Sequence, residues 1–320
     1  MKLNNNIKTT IRVANSMFYS PVAWLVLVIF GFQIGMAFAQ VFGEQVRYQD
    51  MGYDLWQVTS AVFVGMKGIL PPIQRYIYLY IPLITMGLMS REYQSGSIKL
   101  LYSSPVKNAS IIMGKFLSMM IYGLALMAVL GVFVLFSAIT VVNFDYPMVL
   151  TGMLGLYLLI LAYSAIGLFM SSITKYQVVA AIGTLAVLAV LNFIGGVGQD
   201  YDFVRNVTYW LSITGRSDSF IEGLIASDDV LYFLIVIAFF LSLSILKLNT
   251  EKSIMSFKTK VMKYSVIVVM TIVLGYVTSL SSMKYYYDAT YTKSNTLAKE
   301  SQDVIKSLEG DLTITTYVNL

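Results

Sequence analysis

The sequence contains neither cysteine nor histidine. Without cysteine there is no disulfide framework and no thiolate metal or redox site. Without histidine the commonest metal ligand and general base are missing. Charge is scarce as well: Asp, Glu, Lys and Arg make up 12% of the 320 residues, well below the ~25% usual in a soluble domain. No Gly-x-x-x-x-Gly-Lys-Ser/Thr phosphate loop occurs, so the chain cannot cradle ATP in that manner. Apolar residues take the place of what is missing. They make up 57% of the chain, the mean hydropathy is +0.72, and apolar runs approach 20 residues. An integral membrane protein follows.

Seven runs have the length of a span: residues 21–42, 70–89, 116–142, 148–172, 178–197, 230–248 and 264–283. Each covers a hydrocarbon core of roughly 30 Å at ~1.5 Å per residue. The second is the weakest, because Pro71, Pro72 and Arg75 crowd its start. Ahead of the first, Ile7, Ile11, Ala14 and Phe18 share a helical face opposite Lys8 and Arg12, which predicts an interfacial amphipathic helix over 1–20. The first run is too long for the apolar core of a signal peptide. Alternate loops sort the charge. One set holds 13 basic residues against Glu92 and Glu251, a net +11, and the other holds nine basic against 15 acidic residues, a net −6. Basic excess marks the cytoplasmic side, so the N-terminus is expected inside and the C-terminus outside. The spans carry almost no ionisable group, whereas an ion-coupled carrier or channel keeps such groups at mid-membrane depth. Energy is therefore expected from a partner.

The stretch "SREYQSGSIKLLYSSPV", residues 90–106, lies on the basic side between the second and third runs. Ile98, Leu101 and Tyr102 stand at i, i+3 and i+4, one side of a short helix. Pro105 disfavours helical geometry at Ser104 and closes it. Gly96 lets the chain turn or another backbone approach closely. Two readings stay open on these residues: an amphipathic loop resting on lipid, or a helix rimmed by Arg91, Glu92 and Lys99 that presses into a groove on a cytoplasmic protein.

Glu92, Gly96-Ser97-Ile98, Leu101, Ser104-Pro105-Val106 and Gly114-Lys115 together resemble the coupling segment of exporter-type ABC permeases, the second permease class. The resemblance implies a six-helix permease bundle over 21–248, a separate cytoplasmic ABC ATPase subunit that supplies ATP and Mg, and a second permease protomer. This chain itself would then hold no cofactor, no metal and no catalytic residue, and would have no nucleic-acid partner. The ATPase-coupling residues it implies are Arg91, Glu92, Gly96, Ser97, Ile98, Leu101, Pro105 and Lys115. Before the sixth run, Phe220-Ile221-Glu222-Gly223-Leu224-Ile225 and Asp229-Val230-Leu231-Tyr232-Phe233-Leu234 are similar to the gliding-motility branch of the class. The preceding loop, 198–229, is rich in Asp and reads as solvated, with Trp210, Leu211, Ile213, Phe220, Leu224 and Ile225 marking short helices that dip toward the membrane.

Beyond residue 248 a basic cytoplasmic linker (249–263) leads to the seventh span. Residues 284–320 then carry a helical face at Leu297, Val304, Ile305 and Leu308, Gly310 just past its end, and an alternating strand pattern over 312–320. This tail resembles the start of the gliding-motility auxiliary component, an extracytoplasmic α/β domain, and reads as the beginning of a longer fusion. The expected fold is thus an all-α polytopic membrane protein with a seventh transmembrane helix leading to that domain. The expected function is export or surface secretion across a bacterial cytoplasmic membrane. A non-transporting membrane anchor of surface machinery is the alternative of a different class. Gln33, Gln40, Thr184 and Asn192 are polar at membrane depth, and either line a path or hydrogen-bond helices together. Gly123 with Gly131, Gly152 with Gly155, and Ser164 with Gly167 are spacings that let helices approach.

Overall fold

The computed structural model describes residues 18–103, 106–252 and 256–307. The interfacial helix expected over 1–20 (as far as residue 17), Pro105, Leu308, Gly310 and the strand expected over 312–320 lie outside the described residues. In chain order the elements are α1 (Pro21–Asp50), α2 (Val58–Phe63), α3 (Leu70–Thr85), α4 (Gly87–Gln94), α5 (Ile98–Ser103), α6 (Asn108–Thr140), α7 (Tyr146–Ile173), α8 (Gln177–Phe193), α9 (Asp202–Leu211), α10 (Ile213–Ile221), β1 (Leu224–Ala226), α11 (Ser227–Lys252), α12 (Phe257–Thr278), β2 (Tyr286–Asp288) and α13 (Lys299–Ser307).

Among the described residues, six helices are long and apolar enough to cross a membrane: α1, α6, α7, α8 with the 3-10 turn that ends it, α11 and α12. The stretch expected as one span over 70–89 is divided instead. Its ladder breaks at Met86, leaving α3 of 16 residues and α4 of eight. The linker expected over 249–263 is mostly helical, because α11 continues to Lys252 and α12 starts at Phe257. Lysine is a good helix former, so the basic residues that end the hydropathic run need not end the helix. Pro21 at the first position of α1 and Asp145, which accepts from the Met148 N–H at the start of α7 (3.1 Å), fix two helix starts.

Hydrogen bonds gather the loops into two ends. At the basic end Gln177 meets Gln94, and Asn108 meets Asn249. At the acidic end the Tyr291 N–H donates to Asp145, and the Asn295 side chain donates to the Glu222 carbonyl. Segment 70–94 runs between the two: Gln74 donates to Thr214, Ser217 and Asp218 at the acidic end, while Glu92 lies at the basic end against Lys115.

α7 is the centre of the bundle. Of its most apolar stretch 67% is buried, against 6% for α12, and α3, α4, α6, α8, α10 and α11 all pack on it. Small residues make this possible. A Cβ at Gly155 would overlap Phe220, and one at Gly167 would overlap Thr85. Gly131, from the same set of spacings, meets nothing within 4 Å. Without a hydrophobic drive in lipid, such close approach is what holds spans together.

The acidic loop is less solvated than its composition implies. Arg216 bridges Asp228 (3.4 Å) and Asp229 (2.9 Å) and lies over the rings of Tyr209 and Tyr232. Leu224 and Ile225 belong to a strand, not a helix: β1 pairs antiparallel with β2, Leu224 opposite Asp288. The turn after β2 is tied around Asp288, whose carboxylate accepts from Thr290, Asn295 and Thr296. Burial opposes the Asp288 charge, but these hydrogen bonds outweigh it and hold its pKa below the ordinary carboxylate value. Residues 284–296 thus form a strap across the acidic end. α13 follows it, with no buried residue.

Gly155→Leu should lower the thermal unfolding midpoint in detergent by several degrees, as overpacking of ~1–3 kcal/mol predicts. Gly131→Leu should leave it unchanged.

Candidate functional site

The break at Met86 sets the geometry of the basic end. Pro82 has no N–H to give to the ladder, and the Thr85 hydroxyl turns back to the Ile81 carbonyl. Ser171 of α7 fills the gap that follows. Its Oγ accepts from the Met89 N–H (2.9 Å) and the Ser90 N–H (3.1 Å), and donates to the Met86 carbonyl (2.8 Å). One hydroxyl thereby uses its donor and both acceptor positions. Gly167 lies one turn earlier on the same face of α7 and admits Thr85. Kinks of this kind arise where a proline or an inserted side chain interrupts the ladder, and both are present here. α4 consequently leaves the line of α3 and lies against α7 and α8.

The resulting segment is pinned by a buried ion pair. Lys115, 4% exposed near the start of α6, holds Glu92 at 2.7 Å and also donates to the Leu88 carbonyl. Gly96 then takes a φ of +74°, the left-handed position that commonly follows a helix end, with nothing within 4 Å of a Cβ. The glycine serves the turn, not a close approach. Ser97 accepts from the Leu100 and Leu101 N–H groups and so starts α5.

The placement of the apolar face differs from the sequence expectation. Ile98 is 8% exposed, and Leu101 and Tyr102 pack against the bundle core. The face expected to meet a partner is turned onto this chain's own helices, because neighbouring apolar surface is available there. What the segment presents outward is Arg91, Gln94, Ser95, Gly96, Lys99 and Leu100, the last 74% exposed.

The four polar residues at membrane depth do not come together. Gln33 accepts from the Tyr80 hydroxyl on α3. Thr184 donates to the Ala180 carbonyl of its own helix. Asn192 accepts from Tyr163 (2.8 Å) and Thr214 (2.6 Å) and donates to Leu188. Gln40 is exposed on α1. Three of the four therefore act in helix-to-helix or within-helix hydrogen bonds.

Three residues of the basic end carry no motif: Ser171, Tyr93 and Glu251. The Glu251 carboxylate accepts from Tyr93 (2.6 Å) and Tyr102 (2.8 Å) and pairs with Lys247 (2.9 Å). The one sequence signal for Glu251 is its rarity, since Glu92 is the other acid in the basic loop set. Both turn out to hold the same segment.

Long apolar helices packed around one central helix, with a braced polar segment at one end, define a multi-pass membrane protein. Residues 14–201, more than half of the chain, match the ABC-2 family transporter protein model, and the chain belongs to that family. A comparison with curated proteins found no match.

Removing Glu92 leaves a buried ammonium. Glu92→Ala should therefore cost about 3 kcal/mol, measured by unfolding in detergent, and Glu92→Ala/Lys115→Met should recover most of the loss.

Proposed function

We propose that this chain is the membrane-spanning subunit of an ABC transporter, driven by a separate cytoplasmic ATPase that grips residues 91–103. The observation that carries this reading is the bracing of that segment. Lys115 and Glu251 tie it to α6 and α11, and Ser171 ties the residues that lead into it, Met89 and Ser90, to α7, so a force applied to its exposed rim moves three membrane helices together. An amphipathic loop resting on lipid needs no such attachments. The rim offered to the ATPase is Arg91, Gln94, Lys99 and Leu100, with Gly96 keeping the turn open. In this reading the basic end faces the cytoplasm of a bacterium and the acidic end faces outward. Segment 70–94 makes a seventh passage as a broken helix, with the N-terminus inside and the C-terminus outside. Two permease protomers enclose the path, and binding and hydrolysis of ATP with Mg in the partner drive export. Residues 284–320 begin an extracytoplasmic module of the gliding-motility type.

Purification of the tagged chain from its own cells should bring down an ATP-hydrolysing subunit. Gly96→Leu and Leu100→Asp should each cut its recovery at least five-fold while leaving the permease folded. Full recovery with both changes would remove the docking site from this segment.

One observation favours a second reading, a non-transporting anchor of surface machinery: the strap 284–296 is held tightly on the acidic end. ATP-driven flux into liposomes carrying the reconstituted complex separates the two, since an anchor gives none.

A further inference from the structure

α11 joins the two ends of the molecule. Its 26 residues contain neither proline nor glycine and span about 39 Å. At the basic end the Glu251 carboxylate receives Tyr93 from α4 and Tyr102 from α5, and Asn249 receives the side-chain amide of Asn108. At the acidic end Ser227, its first residue, is bonded twice to the strap and once to Met283 just before it. The Ser227 N–H donates to the Tyr285 carbonyl, its Oγ donates to the Met283 carbonyl, and the same Oγ accepts from the Tyr285 N–H, each at 2.9 Å. β1 runs directly into α11 and carries β2.

A helix-end ion pair between Lys247 and Glu251 would by itself be an ordinary stabilising feature. It would not bring two phenols from two other elements onto the same carboxylate oxygen. Burial foremost, with the neighbouring Glu251 carboxylate adding to it, pushes the Tyr102 pKa up to about 12, so this phenol stays a protonated donor at physiological pH.

We infer that α11 is a transmission rod, with Glu251 the positioning residue that makes movement of segment 87–103 into movement of the extracytoplasmic strap. The source of the movement rests on the ATPase-docking reading above; the mechanical link does not. Breaking either end frees the rod to pivot and loosens the hydrogen bonds at the other end.

The link is measurable by amide hydrogen exchange on the full chain in lipid nanodiscs, with no ATPase present. Tyr93→Phe/Tyr102→Phe keeps both rings and removes both donors. Amides of the β1 segment over 223–227 and of the strap over 285–289 should then exchange about ten-fold faster. Glu251→Gln retains an acceptor oxygen for the tyrosines and should stay within about two-fold of the unmodified protein. Coupling between two sites is reciprocal, so Ser227→Ala should in turn speed exchange over 98–103. Exchange changes confined to the mutated end in both directions would overturn the rod and leave ATPase docking untouched. Far-end changes without ATPase recovery would keep the rod and overturn the docking.

Discussion

A backbone in lipid has no water to satisfy its polar groups, so a membrane helix can be broken only where protein takes over the lost hydrogen bonds. That constraint governs this molecule at Met86. The hydroxyl of Ser171 takes up the Met89 and Ser90 N–H groups and the Met86 carbonyl at the break, and the neighbouring Gly167 lets the broken helix approach closely enough for it to reach. Once the chain is free to change direction there, α4 lies against α7 and α8. The segment that follows can then be both polar and rigid. Everything distinctive about the basic end depends on this substitution of one side chain for a stretch of ladder.

Rigidity at that end is electrostatic in a low-charge protein. A buried ion pair is weak evidence of net stability, because desolvation offsets much of its attraction. Its value in Glu92–Lys115 is geometric: it fixes where α4 meets α6, and Lys115 also satisfies the Leu88 carbonyl. Glu251 does the same between α11 and the two tyrosines. The acidic end is held differently, by Arg216 between two aspartates, by Gln74 spanning α3 and α10, and by the knot around Asp288. Ion pairs thus gather at the two ends, while the middle is held by close packing and a few neutral hydrogen bonds such as Tyr80 to Gln33.

Much of the architecture was legible from hydropathy. Six of the seven runs correspond to helices long enough to span, although α1 runs on to Asp50 and α12 begins at Phe257, seven residues before its expected start. These misplacements share a cause: a helix does not stop where the hydrocarbon stops, and Gln, Arg and Lys continue it into the interface. The division of 70–89 was not legible, because the deciding group, Ser171, lies more than 80 residues away. Glu92 and Lys115 were singled out as a motif, but nothing in the pattern states that they touch. The inward turn of Ile98, Leu101 and Tyr102 was missed because periodicity marks an apolar face without saying what covers it. Tyr93 and Glu251, 158 positions apart, meet only through the packing of α11 on α7.

The near-bare surface of α12 has a consequence of its own. Only Gly275 of this helix is buried, in a seat where any larger side chain would strike the indole of Trp210. Apart from the side that packs against α11 the helix is exposed, and lipid rewards oiliness on such a surface but cannot distinguish valine from isoleucine. Its sequence is therefore free to vary among greasy alternatives, with a single notch kept small, while α7, two-thirds buried, meets a neighbour on most of its length.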